Sequence, residues 1–119
     1  MRNLLVDTDF LIDVEKGKER LPREQLFLSV LSLYEFIRGR KDYEDVKRIM
    51  ESSFVIVSLS NDIILKATEI YRDLREKGEI LDERDLLIGA SAIVLGIPIK
   101  TRNKKHYEKL KDYGLKVED

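Results

Sequence analysis

Asn3-Leu4-Leu5-Val6-Asp7-Thr8-Asp9-Phe10-Leu11-Ile12-Asp13-Val14-Glu15-Lys16-Gly17 begins with an apolar run, meets an acid, and continues with apolar residues at a different spacing. The first run is too brief for a helix and ends on a polar group, so residues 3–7 are predicted as a short buried strand. Thr8 or Asp9 can cap a helix over residues 8–16, with Phe10, Leu11 and Val14 as its apolar stripe and Gly17 as its stop. A strand that feeds straight into a helix sets the pattern for the rest of the chain.

The same alternation recurs further on. Residues 25–29 form a second strand, 30–38 a helix stopped by Gly39, and 42–51 another helix with Tyr43, Val46, Ile49 and Met50 on its inner side. Residues 54–57 are a third strand. Ser60 or Asn61 caps a long helix that runs to Lys77, and Ile63, Ile64, Ala67, Ile70, Tyr71 and Leu74 follow its period. Asp82 opens a helix to Leu95, closed by Gly96 with Pro98 beyond. Residues 97–101 give a fourth strand and 115–117 an edge strand. Short apolar strands separated by helices predict an α/β fold of three layers, a central parallel sheet of about five strands with helices on both faces.

A length of 119 residues suits one domain, residues 1–119, with one real core. Hydrophobic residues make up 43%, which argues against disorder, and no apolar run reaches the roughly 18 residues of a membrane span. The amino terminus carries no secretory signal, so a cytoplasmic protein is expected. With no cysteine, any metal must be held by oxygen ligands or by the single His106. Such donors favour hard cations, magnesium or manganese. The net charge of −1 gives no global attraction to nucleic acid, so local patches must supply it.

Four polar positions sit against apolar stretches: Asp7 after Leu4-Leu5-Val6, Glu35 within Leu33-Tyr34-Glu35-Phe36-Ile37, Asp85 before Leu86-Leu87-Ile88, and Asn103 after Ile99-Lys100-Thr101. A carboxylate among buried residues costs free energy unless paired, and several brought together repel unless a cation lies between them. In open parallel sheets, functional groups collect at the carboxyl ends of the strands, where the strand order reverses. Asp7 and residues 101–103 fall at such ends, and Glu35 and Asp85 lie on helices that can rim the same crevice. Each also has an ordinary reading. Asp7 can be a helix cap, Glu35 a solvated residue, and Asp85 a favourable charge at a helix N-terminus, a role that fits Asp82 or Glu83 better. The helix around Glu35 is apolar on nearly every side, which predicts its burial. Gly89, Ala92 and Gly96 stand on the face of Asp85 and let that helix approach a neighbour closely.

Asp7-Thr8-Asp9-Phe10-Leu11-Ile12-Asp13, Glu35 in a short helix, Asp85-Leu86-Leu87-Ile88-Gly89-Ala90 and Gly96-Ile97-Pro98-Ile99-Lys100-Thr101-Arg102-Asn103 closely resemble the motifs of the PIN-domain ribonucleases. The nearest subgroup is the VapC-like toxins of toxin–antitoxin pairs. The resemblance spans nearly the whole chain in order. It implies an acidic crevice that binds Mg²⁺ or Mn²⁺ and cleaves single-stranded or loop RNA. By matching motifs, Asp7, Glu35 and Asp85 take the places of the three main acids, with Asp7 and Asp85 as principal metal ligands and Glu35 as ligand or orienter of water. Asn103 stands where many members carry a fourth carboxylate, which leaves this site one charge poorer. Thr101 matches a supporting hydroxyl, and Thr8 and Asp9 flank Asp7 as further support. The resemblance also implies a small antitoxin partner and a homodimer.

Substrate contact needs positive charge beside the acids. Arg102, Lys104, Lys105, Lys109 and Lys111 form one basic stretch, and Arg38, Arg40 and Lys41 another. Both also read as solvated faces, and His106 as a surface or packing residue. Two rival functions stand beside a nuclease. One is a PIN-like binding module without catalysis. The other is a phosphoryl-accepting receiver domain, which needs an acceptor Asp after the middle strand, where this chain has Ser58-Leu59-Ser60.

Overall fold

The computed structural model describes residues 2–119; Met1, part of the expected domain, lies outside them. Ten elements succeed one another: β1 (Asn3–Val6), α1 (Thr8–Glu15), β2 (Gln25–Ser29), α2 (Val30–Ile37), α3 (Tyr43–Ser53), β3 (Val55–Val57), α4 (Asn61–Glu76), α5 (Glu83–Leu95), β4 (Ile99–Lys100) and a 3₁₀ helix (Lys104–Tyr113). The sheet is parallel, in the order β3-β2-β1-β4. Chain order therefore reverses between β1 and β4, the position at which a crevice opens in sheets of this type.

Among the described residues the sheet has four strands, one short of the approximate five expected. Val117 makes a single parallel bridge to Ile99, so residues 115–117 do not extend into a ladder. The fourth strand also shrinks from 97–101 to Ile99–Lys100. Pro98 has no N–H to give, and contributes its carbonyl to the Leu5 N–H at 2.9 Å.

Successive side chains of β1 point to opposite faces, and two cores result. Leu4 and Val6 join Phe10, Leu11, Leu26, Leu28, Leu33, Met50 and Phe54 beneath α1, α2 and α3. Leu5 joins Ile63, Ile70, Leu86, Ile88, Ile99, Tyr107 and Leu110 beneath α4, α5 and the 3₁₀ helix. These are the three layers anticipated.

Helix ends obey local chemistry, with some changes. Asp7 itself caps α1, accepting from the Thr8 N–H at 2.8 Å, in place of Thr8 or Asp9. Ser60 caps α4, and Asp82 caps α5 by accepting from the Arg84 and Asp85 N–H groups. Gly96 ends α5 in the left-handed region at φ 68°. Tyr43 and Ile49 prove exposed, since Val46 and Met50, four residues apart, are enough to seat α3. Ile64 and Tyr71 of α4 are likewise exposed. The expected burial of α2 is also only partial. Leu33 is buried while Tyr34 is 60% exposed, because a single face of α2 meets the core.

Candidate active site

The crevice at the C-terminal ends of β1 and β4 is a cavity of about 460 Å³ lined by Asp7, Thr8, Asp9, Glu35, Asp85 and Asn103, with Arg38, Arg84 and His106 among its other walls. Each expected polar position reaches it from a different element. Asp7 comes from the end of β1, Glu35 from α2, Asp85 from the first turn of α5, and Asn103 from the segment after β4.

Asp7 is 2% exposed, and donors surround it. Its Oδ1 accepts from the Thr8 N–H at 2.8 Å and from Arg84 Nη2 at 2.7 Å. Its Oδ2 accepts from the Thr101 hydroxyl at 3.0 Å and the Tyr107 hydroxyl at 2.9 Å. Four hydrogen bonds use the four lone-pair directions of an ionised carboxylate. They offset the cost of burying that charge, which answers the electrostatic question posed by the sequence.

The cation between the acids is a guanidinium of the chain itself. Arg84 Nε contacts Glu35 Oε2 at 2.7 Å, Nη1 contacts Asp85 Oδ1 at 2.7 Å, and Nη2 contacts Asp7 Oδ1 at 2.7 Å. Nη2 also donates to the Thr8 hydroxyl at 3.1 Å, and that hydroxyl donates to Glu35 Oε1 at 2.9 Å. Burial opposes the charge on Arg84, but the hydrogen bond to Glu35 and the attraction of Asp7 outweigh it and raise its pKa above the ordinary arginine value.

Neighbouring groups respond to the same field. Burial, and secondarily the charge on Asp82, raise the Asp85 pKa despite the opposing pull of Arg84. Burial, then repulsion from Asp7, raises Asp9. Burial, then the Asp7 and Asp85 charges, lift Tyr107 far above an ordinary phenol, so its hydroxyl stays a donor toward Asp7.

The supporting residues fall where expected, in unequal roles. Thr101 touches Asp7, and its hydroxyl accepts from the Asn103 N–H at 3.1 Å. Asp9 accepts from the Arg102 N–H at 3.2 Å and ties the end of β4 to α1. Asn103 is exposed on the cavity wall. His106 is an exposed surface residue at the cavity wall, with its Nδ1 3.5 Å from Asp85 Oδ2.

The basic stretches divide. Arg102 pairs with the buried Asp13 at 3.3 Å, Lys104 with Asp119 at 3.4 Å, and Arg40 with Glu15 at 2.6 Å. Arg38 lies over the Tyr34 ring, 5.5 Å from its centroid, and faces the cavity. Lys105 lines a neighbouring hollow with Asp85, His106 and Lys109. Arg102 and Lys104 stay largely exposed in these pairs, as exposed ion pairs are only loosely held.

Sequence reasoning passed over Arg84 and Tyr107. Arg84 carries a positive charge in the first turn of α5, at the positive end of the helix dipole. That mismatch is a signal of acidic partners elsewhere. Tyr107 and Leu110 recur at a spacing of three, the period of the 3₁₀ helix that buries them, in a stretch whose charges dominate its composition.

In type, the oxygen donors of Asp7, Glu35 and Asp85 suit a hard divalent cation, and all three are directed at one cationic centre. Among the described residues no group of three such side chains is drawn together tightly enough to hold an ion as it stands, and Arg84 lies between these three.

Known proteins share the family and the fold. Residues 4–111 match the PIN domain family. A protein of Methanocaldococcus jannaschii named Ribonuclease VapC1 is 42% identical over 98% of this chain and 87% of its own length. Among solved structures, the DNA-bound VapBC of Salmonella typhimurium superposes with a TM-score of 0.81, at 22% identity, over 100% of this chain and 98% of that one. A toxin–antitoxin complex from Klebsiella pneumoniae gives 0.68 at 27% identity, over 87% and 89%. The receiver-domain alternative is thereby set aside, and the chain belongs to the PIN-domain family, in its VapC ribonuclease branch.

Proposed function

We propose that this chain is a divalent-metal-dependent endoribonuclease that hydrolyses phosphodiester bonds of single-stranded or loop RNA, and that it serves as the toxin of a toxin–antitoxin pair. The observation that carries the proposal is the convergence of Asp7, Glu35 and Asp85 on one cationic centre in the crevice between β1 and β4. Support comes from membership of the PIN-domain family, from the ribonuclease relative in Methanocaldococcus jannaschii, and from the toxin–antitoxin complexes of the same fold.

A bound Mg²⁺ or Mn²⁺ supplies a lowered pKa for water and charge compensation on the phosphoryl oxygens. Asp7 and Asp85 would hold the ion, and Glu35, less buried, would hold it or orient the attacking water. Thr101 and Tyr107 keep the Asp7 carboxylate in one rotamer by bonding its Oδ2. Arg38 and Lys105 bind flanking phosphates and admit the chain to an otherwise acidic cavity. Asn103 contacts substrate or orients water without adding charge.

The biological setting extends the same reading. The nuclease acts in the cytoplasm as a homodimer, and a small antitoxin restrains it by laying a segment into the crevice or an adjacent groove. No helix among the described residues is long and apolar enough to cross a membrane. Leu33, Phe36 and Ile37 serve mainly to pack the core, so a partner would meet Tyr34 and its surroundings instead.

The test is RNA cleavage with magnesium, manganese or a chelator, using the wild type beside Asp7→Asn and Asp85→Asn. Metal-dependent cleavage lost in both variants is the expected result; undiminished cleavage in both rejects the site. Arg84 within the acidic cluster favours a second reading, a binding module without catalysis. RNA retention with no cleavage under any metal would favour that module. Co-expression with the adjacent upstream reading frame tests the toxin role, through co-purification of a small partner.

A further inference from the structure

Of the donors to Asp7 among the described residues, Arg84 is the one whose side chain borders solvent. Of the four hydrogen bonds on that carboxylate, one comes from the backbone N–H of Thr8 and two from the buried hydroxyls of Thr101 and Tyr107. The fourth comes from a guanidinium on a long side chain that is 30% exposed at the cavity wall. With all lone-pair directions of Asp7 engaged, an incoming ion must displace a donor. The backbone donor is held by the start of α1, the Tyr107 hydroxyl is fully buried, and the buried Thr101 hydroxyl, which also lies 3.3 Å from Asp9 Oδ2, can turn to that acid but not into solvent. A side chain with several rotatable bonds, bordering an open cavity, can withdraw into solvent at small cost.

The other two acids bond the same group. Glu35 turns both oxygens and Asp85 one toward Arg84, so the atoms best placed to receive a divalent ion are those the guanidinium covers. Arg84 delivers one positive charge to three carboxylates, and a divalent ion delivers two. Coulomb attraction therefore favours exchange once the ion is concentrated enough.

We propose that Arg84 is an internal counter-ion that competes with the divalent cation for Asp7, Glu35 and Asp85, so that metal entry requires its guanidinium to swing out of the cluster. The inference rests on the metal-dependent reading given above. Arg84 is thus a positioning residue that sets how much metal the site needs. In the metal-free protein it holds the three acids apart without repulsion; in the loaded protein it stands displaced at the cavity wall.

The experiment measures metal binding without reference to cleavage. Mn²⁺ is titrated calorimetrically into the full chain as wild type, Arg84→Gln and Arg38→Gln. Arg38 lines the same cavity without bonding any of the three acids, so its variant reports the through-space loss of one charge. Arg84→Gln is expected to bind Mn²⁺ about tenfold tighter or more, the effect of removing a charge in direct competition, and Arg38→Gln to change by less than about threefold. In the wild type, the ¹⁵N-resolved Nε–H signal of Arg84, hydrogen-bonded to Glu35, is expected to shift as Mg²⁺ saturates the site. This second readout serves even if Arg84→Gln does not fold. Equal or weaker binding by a folded Arg84→Gln, or an Nε–H signal unmoved at saturation, overturns the inference and leaves the nuclease proposal intact. Absence of metal binding in the wild type and in Arg84→Gln overturns both.

Discussion

Asp7 and Glu35 bond the same guanidinium, yet the two ends of the site are built differently. Asp7 lies on the floor, where α1, α5, the end of β4 and the 3₁₀ helix each send it a donor. Glu35 lies on the rim, on a helix whose neighbouring Tyr34 faces solvent, and among the described residues only Thr8 and Arg84 bond it. A buried charge persists only where the fold provides full satisfaction, and the floor has that at the meeting point of the two cores. The rim has fewer ties. One end of the site is held from four elements, the other from two.

The sharpest way to break this contrast is Asp7→Asn. The floor loses its charge while the surrounding donors remain, and cleavage is expected to fall roughly 10³-fold in a single-turnover assay. A loss no greater than that of a rim variant would erase the distinction. Tyr107→Phe comes next. It removes one donor from a carboxylate that water does not reach, and is expected to destabilise the protein by about 1–3 kcal/mol in urea unfolding. Gly89→Ala tests the same floor from below. A Cβ there would meet Leu110 Cδ1 at 2.2 Å, in the packing that also seats Tyr107, so a loss of about 1–3 kcal/mol is expected on thermal unfolding.

Rim substitutions should have smaller effects. Glu35→Gln keeps the hydrogen bond from Thr8 and gives up one charge, for an expected drop in cleavage of roughly tenfold to a hundredfold with stability within about 0.5 kcal/mol. Asn103→Ala is the mildest. Its backbone N–H still bonds Thr101, and a change of about threefold or less in KM, with kcat retained, would place it in substrate contact.

The same contrast explains what was legible in the sequence. Asp7, Asp85 and the alternation of strands and helices are local signals: an acid closing an apolar run, small residues on one helical face, caps and glycine stops. The small-residue stripe was informative at Gly89, which lies against Leu110 and Tyr107, while Gly96 serves only to end α5. Long-range pairing was not legible. Arg84 meets Asp7 across 77 residues of chain and Glu35 across 49, and nothing in its immediate surroundings names those partners. The basic stretch after β4 is marked by composition, but its acidic neighbours in space are not. Folding pairs Arg102 with Asp13 and Lys104 with Asp119, and turns Tyr107 and Leu110 inward on a 3₁₀ helix. The fifth strand shortened to a bridge because the hydrogen bonds of a two-residue β4 leave little edge to extend.

Floor and rim meet at Arg84, and the central question is whether the acids gathered around it exchange that guanidinium for a metal ion. Crystals of the wild type soaked in Mn²⁺ and measured at the manganese absorption edge test this directly. A single strong anomalous peak between Asp7 and Asp85, with the Arg84 side chain turned out toward the cavity wall, is the predicted result. A peak remote from these carboxylates, or an Arg84 still bonded to all three in manganese-saturated crystals, would contradict it.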